Sequence, residues 1–122
     1  MKLNNGQITV ASQALSKLMG QKLPVLVSSR LIRLAQEMDI HLAVINGVRN
    51  NLFKEYGTEN EGKLMIKQNT QEMESFTKDW AELLSQEIDV EFKGEKIKLP
   101  WTVEIEPSSL LALEPFIEIP ES

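Results

Sequence analysis

The chain has 122 residues, enough for one compact domain that buries its own core. Hydrophobic residues make up 42% and charged residues 25%, a composition that excludes an intrinsically disordered chain. It contains no cysteine, which excludes disulfides, thiol nucleophiles and thiolate metal sites. No stretch approaches the ~20 apolar residues that span a bilayer, and the N-terminus lacks the apolar run of a signal peptide. We therefore expect a single domain over 1–122, without a membrane partner and located in the cytoplasm.

The net charge of −5 is unevenly distributed along the chain. Residues 1–56 hold seven Lys and Arg against three Asp and Glu, a net charge of +4. Residues 57–122 hold six Lys against fifteen Asp and Glu, a net charge of −9. An acidic chain does not favour nucleic acid as a partner, because the phosphate backbone is itself negative.

The first predicted element is a helix over 7–19, with Asn5 as its cap and Gly20 after its end. A much longer helix is predicted over 24–56, between Pro24 and Gly57. It carries eight positions at alternating spacings of four and three, the pattern of a heptad seam. The seam consists of Val27, Leu31, Leu34, Met38, His41, Ile45, Val48 and Leu52.

A polar loop and a short strand in "KLMIK" follow, and then a third helix over 70–86. Its apolar residues Met73, Phe76 and Trp80 recur at spacings of three and four, so it can pack along the long helix as an antiparallel helical hairpin. From residue 87 the apolar period changes to two, which predicts an antiparallel β-hairpin over about 87–105. A short helix over 108–115 completes an α+β fold: a long helical hairpin, a small antiparallel sheet and short terminal helices.

The only histidine, His41, raises the question of a catalytic or metal site. Glu37 lies one helical turn before it and can pair with it, whereas Asp39 lies on a different side of the helix. A metal would need further ligands, and there is no second histidine. The sequence therefore predicts a polar residue within the helix seam, and it predicts no catalytic residue, metal site or cofactor.

Features typical of protein binding are more numerous than features typical of catalysis. Two arginines lie on the outer side of the long helix, and the seam can face a partner. A tryptophan lies beside Pro100, where a core position is favoured over an interface anchor. The last helix holds more apolar residues than a short element can bury, so they dock on the hairpin or form a partner patch. The candidate interface residues are Arg30, Arg33, Met38, His41, Ile45, Trp101, Leu110, Leu113 and Phe116.

Three segments together resemble a known family: "LNNGQITVASQALSKLMGQKLPVLVSSRLIRLAQ", "NLFKEYG" and "IEPSSLLALEPFIE". In this order they resemble small proteins of unknown function from tailed phages and prophages of Gram-positive bacteria. The segment "DIHLAVING" departs from the charged run usual in that family. The resemblance implies a phage context, hence the host cytoplasm or the virion, and a function that is not enzymatic. It transfers no catalytic residue.

The leading hypothesis is accordingly a phage protein that binds a host or phage protein. It would serve as an accessory of virion assembly or as an inhibitor of a host or defence factor. The alternative is a structural component that self-assembles into an oligomer through the seam of the long helix. A third hypothesis is a nucleic-acid mimic, in which the acidic strand face imitates a phosphate backbone; an enzyme with a carboxylate pair ranks last.

Overall fold

The computed structural model describes residues 1–92 and 95–119. The helices are α1 (Asn5–Leu18), α2 (Val25–Tyr56), α3 (Gln71–Ser85) and α4 (Pro107–Leu113). The strands are β1 (Lys2–Asn4), β2 (Thr58–Asn60), β3 (Lys63–Met65), β4 (Glu87–Asp89), β5 (Ile97–Lys98) and β6 (Ile117–Glu118). The predicted α+β class, with one long helix and small antiparallel sheets of two strands, is confirmed. Within the described residues, no helix has both the length and the apolar character needed to cross a membrane.

The start of α1 is fixed by a capping box one residue before the predicted cap. The side chain of Asn4 accepts a hydrogen bond from the Gln7 amide at 2.7 Å, and the Gln7 side chain accepts one from the Asn4 amide at 2.8 Å. Asn5, predicted as the cap, is instead buried in the first turn. Its side-chain amide donates to the Leu83 carbonyl at 2.9 Å and so ties α1 to the end of α3.

The seam of α2 is a contact surface within the chain. Helices α1 and α3 both pack against α2, and five seam residues are buried while the other three are partly buried. The five buried positions are Leu31, Leu34, Met38, Ile45 and Leu52. The side-chain oxygen of Thr70 caps α3 by accepting from the Met73 amide at 3.2 Å. Most of the seam is therefore occupied by contacts within the chain.

The predicted hairpin over 87–105 is wrong, because its two strands pair with other partners. Strand β4 lies antiparallel to β1, with Ile88 opposite Leu3, and β5 lies parallel to β6, with Ile97 opposite Ile117. Period-two alternation identifies which face of a strand is apolar, but it does not identify the neighbouring strand. Strand β5 stops at Lys98, shortly before Pro100, which has no amide hydrogen for a ladder. The predicted hairpin loop includes 93–94, outside the described residues.

The antiparallel hairpin of this fold is instead formed by β2 and β3, and it includes the strand predicted in "KLMIK". Its two-residue turn consists of Glu61 and Gly62, with φ of 53° and 79°. Positive φ at both central residues matches the twist of paired strands, and glycine adopts it without steric cost. The hairpin directly follows α2 and thus lies at the C-terminal end of the long helix.

One hydrophobic cluster joins α1, the first half of α2, the strands β1, β5 and β6, and α4. Phe116 has no exposed surface, and its ring meets that of Phe92 edge-on at 5.3 Å between centroids. The second half of α2 is covered on one side by α3. There Phe53 and Phe76 lie 5.2 Å apart, while Trp80 stacks on Phe76 at 6.3 Å.

A polar contact joins the C-terminal end of α2 to α3. The hydroxyl of Tyr56 donates to Oδ2 of Asp79 at 2.7 Å. This hydrogen bond, together with desolvation and the negative charge of Asp79, raises the pKa of Tyr56 to about 12. The folded chain therefore keeps the phenol protonated at a pH where the unfolded chain has already lost the proton.

We expect Tyr56 to make the folded state sensitive to alkali. Because the folded pKa is raised, its contribution to stability is complete below the unfolded value of about 10 and is lost as the pH rises to about 12. Tyr56→Phe should flatten the fall in Tm across this range relative to the wild type. The chain has one tyrosine, so near-ultraviolet phenolate absorbance gives its titration directly. Parallel Tm curves and a midpoint near 10 would contradict the assignment.

Candidate protein-binding surfaces

His41 lies in the seam, as predicted, and its partner is the predicted one. Its Nε2 lies 3.3 Å from Oε1 of Glu37, one helical turn away. The same carboxylate oxygen accepts a hydrogen bond from the Glu91 amide at 3.2 Å. Glu37 therefore links α2 to the chain that follows β4, and His41 supports that link from within the helix. In the described part of the chain, no three His, Asp or Glu side chains cluster as a metal site would require.

The two candidate arginines have different environments. Nη2 of Arg30 donates to the Glu95 carbonyl at 2.5 Å, so this guanidinium helps to fix the segment before β5. Arg33 is exposed and forms no ion pair with any described residue. Both arginines line a cleft of about 330 Å³ that also contains Glu37 and Glu91. Because the cleft holds charges of both signs, it shows no preference for an anionic or a cationic ligand.

Four of the nine candidate interface residues are not on the surface. Met38 is 1% exposed and Ile45 2%, because their side of α2 faces the other helices. Leu113 and Phe116 have no exposed surface, because α4 docks through them on the core. Their assignment to an interface is therefore corrected: these side chains stabilise the fold and do not contact a partner in this conformation.

Trp101, for which core was the preferred interpretation, is exposed instead. Its side chain is 74% accessible. It lies in a tight turn in which the Val103 amide donates to the Pro100 carbonyl at 3.0 Å. The turn is tethered to the end of α1, since the side chain of Gln21 binds both the amide and the carbonyl of Glu104. Trp101 is thus a large aromatic side chain held in solvent by an ordered turn.

The clearest apolar concavity is a groove between the start of α1 and α4, which we call the α1–α4 groove. Its volume is about 460 Å³. Val10 on one wall is 54% exposed and Leu111 on the other is 72% exposed. The lining residues are Leu3, Asn4, Gly6, Gln7, Val10, Leu111, Ala112 and Pro115. Apart from Asn4 and Gln7, this surface offers no side-chain hydrogen-bonding group.

Of the leucines of α4, the sequence indicated Leu110 and Leu113 as interface candidates and not Leu111, which lines this groove. Leu110 is 38% exposed and Leu113 is buried, whereas Leu111 protrudes most. Neighbouring helix residues point about 100° apart, so a small error in orientation exchanges core and surface positions. Val10 was missed because it lies off the apolar stripe of α1. Val10 and Leu111 could both have been identified from the sequence as apolar residues that lie outside the core-facing side of an amphipathic helix.

A second exposed apolar surface runs along the side of α2 opposite its seam, and we call it the outer face of α2. Ile40 is 61% exposed, Val44 62% and Ile32 46%. A side chain added at Gly47 would meet no atom within 4 Å, so this face is open. The outer face consists of Ile32, Gln36, Ile40, Ala43, Val44, Gly47, Asn51 and Lys54; all eight are exposed, and Lys54 carries a charge at its C-terminal end.

A larger concavity, of about 540 Å³, lies between the end of α1 and the segment before α4. Lys17 and Glu106 form an exposed ion pair at 3.8 Å on its lining. Such pairs contribute little to stability in water. This surface is more polar and shows no convergent group that would select a ligand.

Comparison with known proteins gives no relative from which a site could be transferred. No family model, no curated protein and no solved structure matches this chain.

Proposed function

We propose that this chain is a phage-encoded, non-enzymatic protein that acts by binding another protein through the α1–α4 groove. The observation that carries the proposal is the exposure of Leu111 and Val10 on the two walls of an apolar groove. Single exposed apolar residues are common on soluble proteins, but two that converge on one concavity are typical of a recognition site. The phage context rests on the resemblance of the three segments described above.

The chemistry of the groove defines the kind of partner. Its lining is mostly aliphatic, so the matching surface is an apolar segment of a protein, such as the apolar face of a helix. Burial of one leucine side chain contributes about 1.5–3 kcal/mol, so Leu111 alone can change affinity by more than tenfold. Trp101 lies in the turn that precedes α4. It is an exposed aromatic side chain, of the type that often anchors a protein interface.

Two biological roles fit such a binding protein. It would assist virion assembly by binding a phage protein, or it would inhibit a host or defence factor inside the host cell. Both roles require one protein partner and no bound cofactor. The two roles differ in whether the partner is a phage protein or a host protein, and the experiment below identifies which of these is captured.

The two other hypotheses are supported less well. Self-assembly through the seam of α2 requires a surface that α1 and α3 already cover. Nucleic-acid mimicry requires the acidic residues of two adjacent strands to form one row. Glu87 and Asp89 lie on β4, whereas Glu104 and Glu106 lie in the segment before α4. These carboxylates are therefore not arranged as one hairpin face.

The test is affinity capture from host lysate, with and without phage infection, using the wild type and two matched variants. Leu111→Asp places a charge on the groove wall, and Leu26→Asp places it on an equally exposed leucine of α2. We expect Leu111→Asp to reduce capture of a stoichiometric partner by about tenfold or more, and Leu26→Asp to have little effect. A host protein would indicate an inhibitor and a phage protein an assembly role. Equal capture by all three proteins would contradict the groove assignment.

A further inference from the structure

The α1–α4 groove continues along α1 into the larger concavity. Val10 lines the groove, and Ala14, one helical turn later, lines the larger concavity. On the opposite wall Leu111 lines the groove, and Ser109, two residues earlier, lines the larger concavity. The two spaces therefore adjoin on both walls. We call the α1–α4 groove together with the larger concavity the extended groove.

The two walls of the extended groove run antiparallel. Gln7 and Pro115 line one end, whereas Lys17 and Glu106 line the other. From Gln7 to Lys17 the groove follows α1 for about 15 Å, the length of a helix of about ten residues. The backbone groups inside α1 and α4 are bonded within each helix, so these walls offer side chains and no free strand edge. The matching occupant is therefore a helix and not an extended strand.

The segment that forms the second wall is acidic. From Leu99 to Ile119 the sequence holds four glutamates and no lysine or arginine. Helix α1 contributes one charged residue, Lys17, whose Nζ lies 3.8 Å from Oε2 of Glu106. Glu104 lines the same end and forms no ion pair with a described residue. Taken alone, the larger concavity selects no ligand, but as the end of an apolar groove it adds a surplus of negative charge.

We propose that the extended groove binds an amphipathic helix of a partner protein, with apolar residues over Val10 and Leu111 and a lysine or arginine beside Glu104. This inference rests on the proposed function and adds the form and charge of the partner. Two carboxylates against one ammonium group favour a cation at that end and disfavour an anion. The long apolar stem of a lysine or arginine can also lie along Ile105 while its charge stays in solvent.

The ion pair between Lys17 and Glu106 does not prevent such binding. Its two side chains are 69% and 68% exposed, so water already screens the attraction between them. A second cation can therefore share the Glu106 carboxylate at little cost. Electrostatic attraction of this kind acts mainly on the choice of partner and on the rate of association.

Two synthetic helical peptides test the charge preference. They share one leucine face and end in either two lysines or two glutamates, and fluorescence anisotropy measures their binding to the full chain. At low salt we expect the lysine peptide to bind at least about fivefold more tightly. The difference should shrink as salt is added, because exposed charges are screened. Equal affinities, or no binding of either peptide, would overturn the inference.

Matched glutamine variants locate the preference within the fold. Glu104→Gln with Glu106→Gln should abolish the advantage of the lysine peptide. Glu72→Gln with Glu74→Gln makes the same change of net charge on exposed residues of α3 and should preserve the advantage. An equal loss in both double variants would show an effect of net charge alone and overturn the inference.

Leu111→Ala separates this inference from the proposed function. Because it removes apolar contact and no charge, it should weaken binding of both peptides by a similar factor. If Leu111→Ala weakens both peptides while Glu104→Gln with Glu106→Gln changes neither, the inference fails and the proposed function stands. Peptide binding that Leu111→Ala leaves unchanged would contradict both.

Discussion

Replacement of Phe116 by alanine should lower the free energy of unfolding by about 3–5 kcal/mol. The side chain has no exposed surface and meets Phe92 edge-on, so its removal leaves a cavity among close-packed residues. Domains of this size have a total stability of about 5–15 kcal/mol, so the variant should be close to the limit of folding at physiological temperature. Urea unfolding followed by circular dichroism gives the difference.

Leu111→Ala is the matched control for this prediction, because it truncates an apolar side chain that is 72% exposed. We expect a change within about 0.5 kcal/mol, as for most surface substitutions. A loss below about 1 kcal/mol for Phe116→Ala would show that the residue is not a core residue in solution. Its original assignment to a partner interface would then regain support.

Gly57→Ala should destabilise the chain by about 1–3 kcal/mol, because a side chain at this position has no room. An added Cβ would lie 2.3 Å from the Phe53 carbonyl oxygen, an atom that already accepts the Gly57 amide at 2.8 Å. The backbone φ at Gly57 is −85°, so the constraint is this close approach and not the torsion angle. Either the last turn of α2 or the following hairpin must shift, and thermal unfolding should show a lower Tm.

Gly47→Ala is the paired control, since it makes the same change where a Cβ would meet no atom within 4 Å. Alanine is favoured over glycine within a helix by about 0.5–1 kcal/mol. We expect this variant to be slightly more stable than the wild type. If both substitutions had the same sign, the close contact at Gly57 would not be the cause.

The longer helices were predictable from the sequence because the apolar residues on their packed faces recur at spacings of three and four. The seam of α2 shows this most clearly, since its neighbours α1 and α3 cover the face that the spacing predicts. The predicted cap of α1 was displaced by one residue because Asn4 and Asn5 are both good caps. Only the partner of each side chain decides between them, Gln7 for Asn4 and Leu83 for Asn5.

Strand pairing could not be predicted, because the deciding contacts join segments that are far apart in sequence. Ile88 lies opposite Leu3, which is 85 residues earlier, and Ile97 lies opposite Ile117, which is 20 residues later and beyond α4. The alternation of apolar residues is compatible with either arrangement. The three strand pairs have two or three residues per strand, so side-chain packing and not the ladder selects the partner.

The binding surfaces were predicted less accurately than the helices, for a related reason. An apolar residue in the sequence does not by itself distinguish a buried position from an exposed interface. The structure separates the two: Met38 and Phe116 lie in the core, whereas Trp101 and Leu111 are exposed. The proposed surfaces thus consist of apolar residues that fall outside the core-facing stripe of their own element.

A protein partner is proposed to bind the α1–α4 groove. Amide hydrogen exchange of the wild type, alone and with the captured partner, locates the surface that the partner covers. We expect slower exchange in the first turns of α1, around Val10, and in α4, with no change in α3. Protection confined to the outer face of α2, or no protection in α4, would contradict the claim and place the partner elsewhere.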